Sequence, residues 1–277
     1  MIDVARADVK PLTRDFATKN AGDDSRMRAA SHMKGAGMKL GYFIMPVHPQ
    51  GRDYRETLRE DREAFILAYK LGYAEAFCGE HLTDRVENIP NAMMFLASLA
   101  AETKHITLGT AVVNLPYIHP LIVASNAAML DTLLEGRFIL GIGPGILRTD
   151  AEAVEMPETD RQARYLESLD HIVALWTGEA PYNLKGRFWN ISTEKTLWPE
   201  IGLGSIVKPF RKPHPRIMGT AASPDSEGIA ALGRRGWLAA SSNLLHANWL
   251  GSHWTNYARG CAETGRTADR KNWRVGR

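Results

Sequence analysis

The chain has 277 residues, of which 44% are hydrophobic and 23% are charged, a composition typical of a globular protein with one sizeable core. Lys and Arg total 34 against 31 Asp and Glu, so the net charge of +3 gives no support for binding nucleic acid or an anionic membrane. No apolar run approaches the roughly 20 residues that span a bilayer. Cys78 and Cys261 form neither a metal-type pair nor a disulfide framework, so we expect no metal site and a reducing, cytoplasmic location.

The first 37 residues differ in character from the rest of the sequence. They combine scattered charges with small residues, show little periodicity and lack the apolar core of a secretory signal. We therefore predict a flexible N-terminal extension over residues 1–37 and a folded part that begins at Met38.

From Met38 the sequence alternates between apolar runs typical of buried strands and segments with apolar side chains at helical spacing. The predicted strands are residues 39–45, 74–79, 105–113, 137–143, 215–220 and 236–241, with a seventh that begins at residue 272. The predicted helices are residues 55–71, 91–103, 119–134, 160–176, 224–233 and 247–263. Residues 178–212, which contain Gly, Pro and aromatic side chains, interrupt the alternation as an excursion.

This alternation predicts an α/β protein with a parallel sheet and crossover helices. Two architectures compete, a doubly wound sheet and a (β/α)8 barrel. The segment "FIMPVHPQGRDY" lacks the G-x-G-x-x-G pattern of a dinucleotide loop after the first strand, which weakens the doubly wound alternative. In a barrel, functional groups gather where strands end. The residues just past predicted strand ends are Glu80, His81, Asn114, Gly143 and Ser223.

The stretch "CGEHLTD" places two titratable side chains after the second strand. A histidine in such a place is more often a turn or packing residue, but it is also the side chain best suited to transfer a proton near neutral pH. Glu80 either orients His81 or forms a surface ion pair. The sequence alone leaves both alternatives open.

Two further stretches have a structural and a functional interpretation. "GIGPG" is either a tight turn or a place where a planar ligand lies against backbone, because glycine has no obstructing side chain. In "AASPDSE", Ser223 is a candidate N-cap, Pro224 fits the first helical position, and Ser226 follows three residues after the cap. Such a helix start either binds phosphate or is plainly capped.

Taken together, these stretches resemble a known family. From Met38 onward the chain is similar to the bacterial luciferase-like, flavin-dependent monooxygenases, and within them to the limonene 1,2-monooxygenase-like group. The stretches that carry the resemblance are "MKLGYFIMPVHPQGRDY", "GEHLTD", "ITLGTAVVNLPYIHP", "AMLDTLLEGRFILGIGPG" and "ASPDSE". The resemblance implies an α/β fold, a (β/α)8 TIM barrel, that binds reduced FMN at its carboxyl-terminal face.

The resemblance also implies roles for individual residues. His81 matches the catalytic histidine beside the reactive edge of the flavin. Ala111 and Val112 match a non-prolyl cis peptide under the flavin ring, and Asn114 and Gly143 match positions at the ring. Ala222, Ser223 and Ser226 match the phosphate-binding segment. The implied activity uses reduced FMN and O2 to insert one oxygen atom into a small organic substrate, often with a separate flavin reductase, and we expect a homodimer.

The sequence departs from the family pattern in two places. Gln162 stands where an Arg usually lies five residues before Glu167, with Arg161 and Arg164 nearby. The sequence also stops at Arg277 in the seventh strand, so we expect a barrel that lacks most of its last two strands. Three hypotheses follow: an FMN-dependent monooxygenase, a deazaflavin-dependent oxidoreductase of the same barrel, and a truncated, non-catalytic flavin-fold module.

Overall fold

The computed structural model of the chain describes residues 38–157 and 160–276. The predicted extension over residues 1–37 lies outside this part. The strands are β1 (Gly41–Ile44), β2 (Glu75–Cys78), β3 (Thr107–Thr110), β4 (Val113–Asn114), β5 (Phe138–Gly143), β6 (Asn183–Lys185), β7 (Asn190–Ser192), β8 (Arg216–Ala221), β9 (Leu238–Ser241) and β10 (Trp273–Val275). The α-helices are α1 (Tyr54–Lys70), α2 (Ala92–Ala97), α3 (Pro120–Leu133), α4 (Arg148–Ala153), α5 (Arg161–Thr177), α6 (Glu227–Arg235) and α7 (Leu250–Ala262).

The main sheet is parallel and follows the chain. Its strands lie in the order β1-β2-β3-β5-β8-β9-β10, and β4 pairs with β5 beyond the end of β3. Every ladder in this sheet is parallel. A doubly wound sheet reverses its strand order in the middle, and this sheet does not. The prediction of a barrel-type parallel α/β fold is therefore confirmed, and the three-residue β10 supplies the seventh strand of the alternation.

Side chains of the strands alternate between two apolar layers, as a sheet covered on both faces requires. One set packs in the large core with α1, α2, α3, α5, α6 and α7, and includes Cys78, Leu140 and Ala239. The other set forms a small cluster of Phe77, Ile139, Met218 and Leu238, each one residue out of phase with the first set. The second cluster belongs to the concave face, which fills the inside of a barrel.

A half-buried ion pair crosses this concave face. Arg274 of β10 donates two hydrogen bonds to Glu75 of β2, over 3.0 Å and 2.6 Å. Four strands of the sheet lie between β2 and β10. The sheet must therefore curve for the two side chains to meet. At the same end of the strands, Arg216 donates to the hydroxyl of Thr107, 3.2 Å away.

The excursion after α5 contains an antiparallel hairpin of β6 and β7. Glu167 of α5 holds it, because its carboxylate accepts backbone N–H groups of Arg187, Phe188 and Trp189 over 2.8 to 2.9 Å. The short α4 was not predicted from the sequence. Among residues 38–157 and 160–276, no helix combines the length and apolar character needed to cross a bilayer.

Candidate functional site

A bulge between β3 and β4 shapes the centre of the carboxyl-terminal edge. Gly109 pairs with Ile139 and Val113 pairs with Ile142, so three residues, 110–112, lie opposite two residues of β5. The hydroxyl of Thr110 replaces the backbone hydrogen bonds that the bulge interrupts. It accepts the N–H of Gly141 at 2.9 Å and donates to the carbonyl oxygen of Gly141 at 2.8 Å. The peptide bond between Ala111 and Val112 in this bulge is cis, the geometry that the resemblance implies.

Asn114 and Gly143 lie side by side just beyond the bulge. They are register partners at the ends of β4 and β5. A Cβ atom at residue 143 would overlap a methyl group of Val112, so glycine lets the cis segment lie directly against β5. The Asn114 side chain is buried and donates to the carbonyl oxygen of Glu80, 3.4 Å away. The structure thus brings Val112, Asn114 and Gly143 together at the end of neighbouring strands.

Glu80 plays neither of the roles considered from the sequence. It is buried, and its carboxylate accepts the N–H of Ala92 at 2.9 Å and the N–H of Asn114 at 3.3 Å. It therefore ties the end of β2 to the first turn of α2 and to β4. Burial raises the pKa of Glu80 to about 7, although the two N–H groups and His81 act in the opposite direction.

His81 lies between two carboxylates at the rim of β2. Its Nδ1 is 3.2 Å from Oδ2 of Asp150, and its Nε2 is 3.1 Å from Oε2 of Glu87. The first contact has hydrogen-bond geometry, whereas Oε2 of Glu87 is buried without a hydrogen bond among the described residues. The side chain is only 16% exposed, so His81 is not a turn residue with its ring in open solvent.

Asp150 orients His81 from α4. Its fully buried carboxylate also accepts the N–H groups of Leu82 and Thr83 and the hydroxyl of Thr83, at distances of 3.2, 2.8 and 2.6 Å. Burial alone raises the pKa of this carboxyl, but the hydrogen bonds from Thr83, Leu82 and His81 outweigh burial and hold the pKa below its usual value. Sequence reasoning missed Asp150, Thr83 and Glu87, because only the fold brings α4 to the end of β2.

The segment after β8 differs from the prediction. The residue that precedes α6 is Ser226, not Ser223, and its side chain makes no capping hydrogen bond. The helix cannot begin at Pro224, because Asp225 adopts a positive φ of 50° that breaks helical geometry. Ala222 and Ser223 are exposed, and Ser226 is half-buried. The segment still ends at a helix N-terminus, whose first N–H groups have no partners within the helix.

A chain of hydrogen bonds from α7 and β10 supports this segment. The ring of His253 is fully buried, with Nε2 2.8 Å from the carbonyl oxygen of Ser223 and Nδ1 2.9 Å from the hydroxyl of Ser241. A carbonyl only accepts, so Nε2 carries a proton, and in the neutral ring Nδ1 accepts from Ser241. The hydroxyl oxygen of Ser241 in turn accepts the indole N–H of Trp273, 3.0 Å away.

Gln162, which stands where the family usually has an arginine, lies near two residues with defined contacts, Arg164 and Glu167. Gln162 is exposed, whereas the guanidinium of Arg164 lies over the ring of Trp189, 4.3 Å from its centroid. Glu167 binds the backbone of the excursion, so its pKa is lowered by three N–H groups even though burial acts in the opposite direction. These residues hold the excursion against α5.

The chain is similar in sequence to known proteins. Residues 38–276 match the model of the luciferase-like monooxygenase family. The chain is 34% identical over 245 residues to 4-hydroxyprotoasukamycin monooxygenase of Streptomyces nodosus subsp. asukaensis, covering 86% of this chain and 63% of that protein. It is 33% identical over 238 residues to limonene 1,2-monooxygenase of Rhodococcus erythropolis, covering 85% of this chain and 58% of that protein.

The fold is also similar to a solved structure. The oxygenating constituent of 3,6-diketocamphane monooxygenase of Pseudomonas putida, a type II Baeyer–Villiger monooxygenase in complex with FMN, superposes with a TM-score of 0.79 at 27% identity. The match covers 86% of this chain and 66% of that one. The chain therefore spans less than two thirds of the length of these relatives.

Proposed function

The chain belongs to the luciferase-like monooxygenase family, and on that premise we propose that it acts as an FMN-dependent monooxygenase. The proposed reaction uses reduced FMN and O2 to insert one oxygen atom into a small organic substrate. One observation carries the proposal: the Asp150-bound His81, the bulge at Ala111–Val112 and Asn114 all lie at the carboxyl-terminal edge of the parallel strands. This edge is where barrels of parallel strands hold their reactants.

The residues present fit an FMN molecule. The bulge at Ala111 and Val112 is half-buried and lies beside Asn114 and Gly143, so it offers backbone and short apolar side chains for a flat ring to lie against. Ala222, Ser223 and Ser226 precede the N-terminus of α6, where hydroxyls and unpaired N–H groups suit a phosphate. The buried hydroxyl of Tyr117 has no hydrogen bond within the described part of the chain, whereas Oε2 of Glu87 faces Nε2 of His81 at 3.1 Å.

These contacts assign a role in the proposed reaction to each group. Bound reduced FMN supplies the electrons that activate O2. His81 holds or donates a proton at the rim of β2. Asp150, kept ionised by four hydrogen bonds, fixes the imidazole with Nδ1 toward the carboxylate and directs its reactivity through Nε2. Glu87 lies beside that nitrogen, so a proton delivered there has a nearby acceptor.

The proposal extends to partners. A separate reductase supplies reduced FMN, in keeping with the description of the diketocamphane protein as an oxygenating constituent. A second copy of the chain covers α2 and α3, where the side chains of Met94, Ile122, Met129 and Leu133 are 49 to 73% exposed. We place the protein in the cytoplasm, where its buried, unpaired Cys78 and Cys261 stay reduced.

Anaerobic titration with FMN, followed by exposure of the reduced complex to labelled O2 and a panel of terpenes and cyclic ketones, tests the proposal. Saturable binding of reduced FMN and one labelled oxygen atom in a product support it. Turnover with deazaflavin but not FMN would move the chain to the deazaflavin-dependent alternative. Binding of neither cofactor would favour the non-catalytic alternative.

A further inference from the structure

The two loops that follow β1 and β2 line an open cavity of about 670 Å³, which we call the loop cavity. Two backbone contacts join the loops. Val47 and Glu87 form an antiparallel β-bridge, and the N–H of His48 donates to the carbonyl oxygen of Val86 over 2.9 Å. His48, His81 and Asn88 line the loop cavity. Its volume lies in the range of cavities that hold small organic molecules.

The orientation of the Asn88 side chain is fixed by its neighbour. The hydroxyl of Thr57 donates its only proton to the carbonyl of Tyr54, 3.0 Å away. Its oxygen must therefore accept from Asn88, whose Nδ2 lies 2.6 Å away. The Oδ1 of Asn88 therefore points away from Thr57. This buried atom has no hydrogen bond among residues 38–157 and 160–276. Asn88 lines the loop cavity and is only 9% exposed, so its Oδ1 is a desolvated acceptor that lacks a donor.

The cavity wall carries a second histidine–carboxylate pair besides that of His81. The Nε2 of His48 lies 3.0 Å and 3.1 Å from the two carboxylate oxygens of Asp61, which is 3% exposed. An ionised carboxylate only accepts, so Nε2 carries the proton and the Nδ1 of a neutral imidazole is an acceptor. Nδ1 is 4.0 Å from Glu60, too far for a hydrogen bond. The wall thus carries the His48–Asp61 pair in addition to the buried acceptor of Asn88.

We propose that the loop cavity binds the organic substrate and selects molecules that carry a hydroxyl or N–H group, which donates to Oδ1 of Asn88. His81, on the same wall, places the bound molecule beside the proposed reaction centre. Identifying the occupant as the substrate rests on the proposed function. The selection for a donor rests only on Asn88, Thr57 and the cavity, and it is measurable without flavin.

A matched pair of probes tests the selection. 4-Hydroxycyclohexanone and 4-methoxycyclohexanone share a ring and their oxygen positions, but only the first donates a hydrogen bond. We expect the hydroxy compound to bind the full chain about five- to tenfold more tightly in ligand-detected NMR titrations, the scale of one hydrogen bond to a buried group. Asn88→Ala should bring the ratio of the two dissociation constants to about one. Gln50→Ala, on the same wall, should leave it unchanged.

Thr57→Val is a second variant of nearly constant shape. It removes the hydroxyl that fixes the amide, so the ratio should fall toward one even though Asn88 is intact. An equal affinity for the two probes in the wild type, no saturable binding of either, or an unchanged ratio in Asn88→Ala would overturn the proposal. A normal ratio without any oxygenated product would instead count against the proposed function and leave the donor-selecting cavity standing.

Discussion

The Nε2 of His253 donates to the carbonyl oxygen of Ser223 over 2.8 Å, so a fully buried ring in α7 holds the exposed turn that follows β8. The turn and the start of α6 form the proposed phosphate site. The ring of His253 also bonds the hydroxyl of Ser241, which accepts the indole N–H of Trp273, so hydrogen bonds run from Trp273 to Ser223. The geometry of the phosphate site therefore depends on residues that do not themselves contact a ligand.

The serines of this turn should contribute to binding of the phosphate. Changing Ser223 and Ser226 together to alanine should weaken FMN binding by about 1 to 3 kcal/mol, the scale of lost hydrogen bonds to a charged group. Riboflavin, which lacks the phosphate, should bind both proteins equally. Fluorescence titration with the two flavins measures the difference. An equal FMN affinity in the variant and the wild type would show that the turn is structural only.

His253 should act on the same site as a positioning residue. His253→Leu removes both hydrogen bonds from a buried ring position and should lower stability by about 1 to 3 kcal/mol. It should also reduce the preference for FMN over riboflavin. His253→Gln, whose side-chain amide can still donate toward the carbonyl of Ser223, should restore most of that preference. If His253→Leu loses stability but keeps the full preference for FMN, the ring supports the fold and not the phosphate site.

His81 should be needed for oxygen transfer but not for flavin binding, because the proposed ring and phosphate contacts come from other segments. His81→Ala should lower oxygenated product by roughly 10²- to 10⁴-fold, the range for a lost acid–base group, while more of the reduced flavin is oxidised to give hydrogen peroxide. Asp150→Asn should cause a smaller loss, since the imidazole remains but loses its charged partner. His105→Ala, at an exposed histidine, is the control. Product and peroxide are measured together, and an unchanged ratio in His81→Ala would contradict the role.

Much of the fold was predictable from the sequence, because the spacing of apolar residues and the residues that form turns are local signals. The apolar alternation located the strands to within a few residues, and Pro120 marked the start of α3 as expected. His81 was identifiable because it directly follows a strand. Asp150 was not, because it is 69 residues away from His81 in the chain and meets it only through α4. The cap at Ser223 was predicted wrongly because the positive φ of Asp225 has no signal in the sequence.

A polar substitution on the exposed apolar face of α3 should test the proposed homodimer. Ile122 and Met129 lie seven residues apart on one side of the helix and are 53% and 57% exposed. Changing both to lysine should leave the fold intact, because neither side chain is buried, and should convert a dimer to a monomer in sedimentation velocity. Val207→Lys, on the excursion, is a matched exposed control. A double variant that sediments like the wild-type dimer would exclude this face as the interface.

The stability of the chain should depend on pH through Glu80. Its pKa rises from an ordinary 4.5 to about 7 in the fold because the carboxyl is buried. The folded state therefore binds this proton more tightly than the unfolded state. The resulting stabilisation is complete below about pH 4.5 and is lost as the pH rises through about 7, for a total of roughly 3 kcal/mol.

Replacing Glu80 by glutamine removes this titration while keeping an acceptor for the N–H of Ala92. The free energy of unfolding of Glu80→Gln should therefore improve relative to the wild type by about 2 to 3 kcal/mol between pH 5 and pH 8. Urea denaturation at several pH values measures the difference, and Glu63→Gln, at an exposed carboxylate, should run parallel to the wild type. If the profiles of Glu80→Gln and the wild type were also parallel, Glu80 would be ionised across this range. The N–H groups of Ala92 and Asn114 would then outweigh its burial.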